Sequence, residues 1–315
     1  MINFRFHLVS LIAVFLALAL GIVMGATVID QAIVDTLNAR INDVRDEANA
    51  QRSENSDLRE ELDRLGAYVE GTDEFAVAGR LEGVPVAVVA FRGVDGDAVT
   101  PPVELAQAAG AAAPGVLWLE DKWLLGDDES RQQLADILGA PSDEEAASLR
   151  ESGLAALAER LAAGSAPLGT DLLVTLTEAG FVTFQAVGDQ AGDDFALSAY
   201  PSADARVLLI DGSDADEEMN AMLEPAARAF VAVDLPLAVG EVFREEDDGP
   251  GRGTRLSPVR DDDDLTQVVS TVDDLERVEG RVTAVLALSD LGRGIVGQYG
   301  YGAGADQSLP AAAGQ

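Results

Sequence analysis

The chain has 315 residues, with 56 acidic and 21 basic side chains, a net charge of −35, no cysteine and one histidine, His7. A surface of that sign repels nucleic acid and anionic lipid. The missing residue types exclude disulfides, thiolate nucleophiles, zinc ribbons and iron–sulfur clusters, and leave no Ser-His-Asp triad or histidine-built zinc or iron site for a folded domain.

Residues 1–7 form a short N-terminus in which Arg5, His7 and the terminal amine carry the positive charge. The uncharged stretch Leu8 to Ile29 follows, 22 residues long. About 20 apolar residues cross a bilayer as one helix, so 8–29 is expected to be a transmembrane anchor. Asp30, Asp35, Asp43 and Asp46 come after it, which places the N-terminus in the cytoplasm and the bulk of the chain outside. The alternative is a cleaved signal peptide, but the apolar core is longer than such peptides carry and Met24-Gly25-Ala26 is a poor cleavage site. Gly21 and Gly25 form a G-x-x-x-G pair, a spacing that lets two membrane helices approach closely.

From Val34 to Val69 the apolar residues repeat every seven positions. Val34, Ile41, Ala48, Asn55, Leu62 and Val69 occupy position a, and Leu37, Val44, Gln51, Leu58 and Leu65 occupy d. β-Branched residues at a, leucine at d and one asparagine at a favour a parallel two-stranded coil, so 30–69 is expected to make the chain a homodimer. Glu47 and Glu54 fall at g, with Arg52 and Arg59 at the following e positions, as cross-chain pairs require. Arg40 and Arg45 repel in the same scheme, and Ala48 and Gln51 soften the middle. The competing arrangement is a single helix folded back on its own domain.

Residues 70–83 read as a linker. Beyond it, 84–297 is expected to be an extracytoplasmic α/β domain with a mostly parallel sheet. Val84–Phe91, Val116–Leu119, Arg206–Ile210 and Val268–Val272 are short apolar runs of the kind found in strands covered on both faces. Helical patterns lie between them, near Pro102–Ala113, Glu129–Leu138, Asp143–Ala163, Ala215–Phe230 and Leu275–Leu291. Leu172–Phe184 is ambiguous, and Val231–Phe243 reads as strand and turn. Strands alternating with helices point to a parallel sheet rather than a transmembrane barrel.

Several motifs carry possible chemistry. The acidic runs Glu245–Asp248 and Asp261–Asp264 read as solvated, mobile loops, with weak divalent binding as the alternative. Asp211-Gly-Ser-Asp-Ala-Asp216 lacks the spacing of a calcium loop and reads as a helix cap. Gly292-Arg-Gly-Ile-Val-Gly297 matches G-x-G-x-x-G but follows a helix, where a dinucleotide fingerprint needs a strand. Met219 and Met222 lie three apart in the expected helix; thioethers suit Cu(I), while two methionines also serve as core packing. Residues 298–315 form a Gly/Ala-rich tail that reads as flexible.

The opening Phe4-Arg-Phe-His-Leu-Val-Ser-Leu11, continued by Phe15-Leu-Ala-Leu-Ala-Leu-Gly21, resembles the start of the actinobacterial copper transport protein B (MctB) family. Gly280-Arg-Val-Thr-Ala-Val-Leu-Ala-Leu288, Tyr301-Gly-Ala-Gly-Ala-Asp306 and Leu309-Pro310 resemble its end. The resemblance implies a cell-membrane or outer-envelope location, a role in copper homeostasis or efflux, and copper as a possible bound ion. It also implies links, for some members, to cell separation. The architecture itself suggests a non-catalytic scaffold. About forty helical residues at about 1.5 Å each would hold the domain roughly 60 Å from the membrane, beside a cell-wall or division partner.

Overall fold

The computed structural model describes residues 4–141, 143–164, 171–192, 195–212, 214–245, 249 and 251–311. The chain divides into two compact units, Met1–Ala67 and Tyr68–Gln315. Helix α1 (Phe4–Glu70) runs without a break through the apolar stretch and the heptads. Its segment Phe4–Gly25 has a mean hydropathy of 2.7 and is long and apolar enough to cross a membrane.

The second unit is a mixed α/β fold. Among the described residues its strands are β1 (Val86–Phe91), β2 (Gly115–Leu119), β3 (Val182–Ala186), β4 (Arg206–Gly212), β5 (Leu237–Val242), β6 (Val269–Val272) and β7 (Gln298–Tyr299). They form one sheet in the order β3-β2-β1-β4-β5-β6-β7, parallel except for β3. Every residue of β1 and β5 is buried, as it must be in a sheet covered on both faces. The helices are α2 (Asp73–Val77), α3 (Gly96–Ala108), α4 (Asp128–Leu138), α5 (Ala146–Ala163), α6 (Leu172–Glu178), α7 (Glu217–Asn220), α8 (Leu223–Ala232), α9 (Ser257–Arg260) and α10 (Val278–Leu291). Two helical groups cover the sheet: α2, α3 and α10 pack together, and α5 packs with α4, α6 and α8. Trp118, Trp123, Phe91, Phe181 and Phe230 are the largest buried side chains.

Several expectations need correction. The helix expected from Pro102 starts earlier, at Gly96, because the Asp95 carboxylate caps it by accepting from the Asp97 N–H. The helix expected over Ala215–Phe230 is two helices. Pro225 belongs to the first turn of α8, where its missing N–H is tolerated; inside one continuous helix it would break the ladder. The ambiguous Leu172–Phe184 splits into α6 and β3, separated at Gly180, which has φ +76°. Residues 70–83 are more than a linker: Val77 and Leu81 are buried in the core. The supposed tail is folded as far as the described residues reach. Tyr299 bridges Gln307, and Gln298 pairs with Thr271 of β6.

Candidate functional site at the strand ends

In a sheet of this order the strands turn in opposite directions from β1 and β4, and ligands of α/β proteins gather at that reversal, beyond the carboxyl ends of the strands. Here the place is filled by the chain itself. Gly93, with φ +98°, lies so close to Ala215 that a Cβ on it would sit 3.1 Å from the Ala215 Cα. A Cβ on Gly212 would meet Val94 at the same distance. Arg244 then ties the two loops, 2.6 Å from Asp95 and 3.3 Å from Asp214. Alongside, Arg92 donates to both oxygens of Glu120 and stacks 4.7 Å over the Trp118 ring. The Arg92 hydrogen bond holds the Glu120 carboxyl below its usual range. The G-x-G-x-x-G run offers no second cradle, since it leads from α10 into β7 rather than into a helix.

The chemistry concentrates one step along, at the ends of β4, β5 and β6. Four carboxylates are buried there: Asp211, Glu241, Asp273 and Asp274. Asp211 accepts from its neighbour Gly212 N–H at 2.8 Å and from the Asn220 amide, while burial pushes its carboxyl up. Glu241 accepts from the backbone N–H of Gly253 at 2.5 Å and of Arg255 at 3.4 Å. Burial pushes it up to about 7 despite those bonds. Asp273 receives N–H bonds from Tyr301 and Gly302, both at 2.9 Å, and pairs with Arg260 at 2.9 Å. Arg260 also donates to Thr271 at 2.8 Å, to the Tyr299 carbonyl at 2.7 Å and to the Ala303 carbonyl at 2.6 Å. Arg252 links the Asp273 carbonyl to Glu276 and stacks on Phe243.

Asp274 differs from its neighbours. Its Oδ1 has no hydrogen-bond partner among the described residues. The group is pushed up to about 7, first by burial and then by the charges of Asp273 and Glu276. Gly280, in the first turn of α10, lies against the Asp274 carbonyl and leaves no room for a side chain. Asp273 and Arg260 clasp residues 299–303 to the sheet through backbone N–H and carbonyl groups. Among the described residues no three His, Cys, Asp or Glu side chains are placed to hold a metal ion.

The sequence-derived candidates fare differently. Met219 lies within α7 and Met222 is the N-cap of α8, so they belong to different helices; both are 0% exposed and belong to the apolar core. As placed, neither thioether is open to an ion from solvent. At Gly21 and Gly25 nothing lies within 4 Å of where a Cβ would sit. Val34, Leu37, Ile41, Val44, Leu58, Leu62 and Leu65 are all exposed along α1, and Asn55 donates to the Gln51 carbonyl of its own helix at 2.9 Å. Of the acidic runs, Asp262 is ordered: it accepts from Asp264 and Leu265 N–H groups and pairs with Arg228. Residues 246–248 lie outside the described residues. The carboxylate clasp escaped the sequence reading. Its one local signal is Glu241, a lone acid inside the apolar run Leu237–Val242.

A family model described as "Copper transport outer membrane protein, MctB" matches residues 1–310. The proteins named "Copper transporter MctB" from Mycobacterium tuberculosis (strain H37Rv) and Mycobacterium bovis are each 27% identical over 319 residues, spanning 97% of this chain and 98% of theirs. A Mycobacterium leprae protein of the same name is 27% identical over 322 residues, with the same coverage.

Proposed function

This chain belongs to the MctB family of copper transport outer membrane proteins, and from that premise we propose that it is a membrane-anchored component of copper homeostasis. In this reading it works by holding its α/β unit against an envelope partner, not by ligating copper within that unit. The burial of Met219 and Met222 carries the second half of the proposal. Cu(I) favours thiolate, thioether and imidazole donors. The chain has no cysteine, and its other soft donors, Met1, His7 and Met24, lie in or before the apolar span. The carboxylates at the strand ends are hard donors, and most of them are already bonded to arginines and backbone N–H groups. The unit is therefore a recognition body, non-catalytic, anchored through Phe4–Gly25 with its N-terminus inside. The exposed heptad residues support a parallel homodimer.

The experiment is a copper-tolerance assay in a deletion strain, alongside competition of the full chain against a Cu(I) chelator. Met219→Leu with Met222→Leu nearly conserves volume, so the fold survives. The expected result is full complementation by the double variant and Cu(I) affinity no tighter than micromolar for either protein. Lost tolerance in a variant that is still folded and still in the envelope would overturn the partner mechanism and assign copper directly to the two methionines.

A further inference from the structure

We propose that the pocket between α4 and α6 is a binding site for a short zwitterionic peptide, with Lys122 holding its carboxylate and Glu178 and Asp136 its ammonium group. The inference depends on neither the anchor, the dimer nor copper.

Lys122 is the one lysine among 21 basic residues. It lies in the turn after β2, half-buried. Its ammonium donates to the Gln133 side chain of α4, and at 2.7 Å to the Ala179 carbonyl at the end of α6. The Phe181 ring centre is 4.9 Å from Nζ. Gln133 is itself fixed, because its amide donates to Glu129 at 3.2 Å. An ammonium carries three N–H donors. One is therefore left without an acceptor among the described residues. No described carboxylate forms an ion pair with it, although the chain has 56 acidic residues. Arg92, Arg160, Arg252 and Arg260 each have such a partner. Asp127 lies close enough to feel the Lys122 charge, but its two oxygens are engaged by the Ser130 N–H at 2.8 Å and hydroxyl at 2.9 Å. Holding the end of α6 thus accounts for one donor of Lys122 and leaves its charge unneutralised.

The ammonium lines a pocket of about 480 Å³, together with Gln133, Asp136, Ile137, Thr175 and Glu178. Pockets that take small molecules run from roughly 300 to 1,000 Å³. A simple anion is a poor occupant, since Asp136, Glu178 and the net charge of −35 all repel it. A zwitterion has no net charge to be repelled. Its carboxylate completes the donor set of Lys122, and its ammonium meets the two acids through charge-assisted bonds, roughly twice as strong as neutral ones. Glu178 is exposed and its side chain makes no hydrogen bond or ion pair among the described residues. Asp136 accepts from Gln132 at 3.1 Å through one oxygen and keeps the other. Ile137 supplies an apolar wall for an aliphatic side chain.

The test is calorimetric titration of the full chain in detergent with alanyl-alanine, its N-acetyl and C-amide derivatives, and inorganic phosphate. Alanyl-alanine is expected to bind with a dissociation constant on the order of a millimolar or tighter, and each blocked derivative about tenfold more weakly. Lys122→Met should abolish binding. Glu178→Gln changes an exposed side chain with no partner to lose, so it leaves folding intact; it should weaken alanyl-alanine about tenfold and leave the N-acetyl derivative unchanged. Because Lys122 is the sole side-chain amine, acylation there by an activated acetate ester is read directly by mass spectrometry, and saturating alanyl-alanine should slow it severalfold. No binding of alanyl-alanine up to about 10 mM, or an affinity unaltered in both variants, would overturn the site. Phosphate or the N-acetyl derivative binding as tightly as alanyl-alanine would overturn the zwitterion. An unchanged acylation rate would remove Lys122 from it.

Discussion

Asp274 gives the most quantitative handle on the clasp. Its carboxyl is pushed from the ordinary 3.8 to about 7 by burial and by Asp273 and Glu276. The folded state therefore holds this proton more tightly than the unfolded chain does. Stability from this group is complete below about pH 4, declines as pH rises, and is lost once pH passes about 7. Three pKa units correspond to about 4 kcal/mol at most. Relaxation and partial access of water reduce this to about 2 kcal/mol. Asp274→Asn removes the charge at every pH. The variant should be more stable than the native chain by about 2 kcal/mol at pH 8, by clearly less at pH 5, and should converge with it below about pH 4. Urea unfolding of the full chain in detergent, followed by fluorescence of the buried Trp118 and Trp123, measures both. A residual loss of stability between pH 5 and 8 should survive in the variant, because burial also pushes Glu241 up to about 7. A gain of equal size at pH 5 and pH 8, or a loss at pH 8, would show that Asp274 is not a buried charge that the fold tolerates at a cost.

Two other perturbations address the same framework. Arg260→Ala breaks a buried ion pair and frees the Tyr299 and Ala303 carbonyls. It should cost about 3–5 kcal/mol, and limited proteolysis should then cut first beyond Gly297. Asn55→Leu should stabilise the assembled full chain by about 1–2 kcal/mol and loosen its preference for two strands, seen as higher oligomers by light scattering in detergent. A strictly monomeric native chain in that measurement would remove the dimer.

The parts of the fold legible in the sequence are those where one physical demand dominates. A parallel strand covered on both faces must be apolar throughout, so Val84–Phe91, Val116–Leu119, Arg206–Ile210 and Val268–Val272 each point to a strand that the structure contains. Strand β3 lies at the sheet edge with three of its five residues exposed, and so carries no such run. The α3 start was hidden because Pro101 and Pro102 sit inside the helix rather than at its beginning. The clasp was hidden for a different reason. Arg252 and Arg260 reach Asp273 and Glu276 only after the turns around α9 bring them back, and no local pattern records that approach. Glycine-rich Gly297–Gly304 looks slack by composition, yet Gly300 is there because its φ of +126° and the Asp273 carboxylate against it exclude a side chain.

The strand order has a consequence for how the sheet is completed. After β4 joins β1, each new strand in the chain adds to the outer side of the one before it: β5 on β4, β6 on β5, β7 on β6. On that side the growing sheet thus ends in the most recent strand, and until β7 docks that strand is one destined for burial with unpaired N–H and C=O groups. Such an edge is a template for another chain. The last strand is the opposite in character, two residues long and folded back on Gln307. A chain halted anywhere between Arg206 and Gln298 would therefore be adhesive as well as incomplete, and the glycine-rich terminus is what ends the accretion.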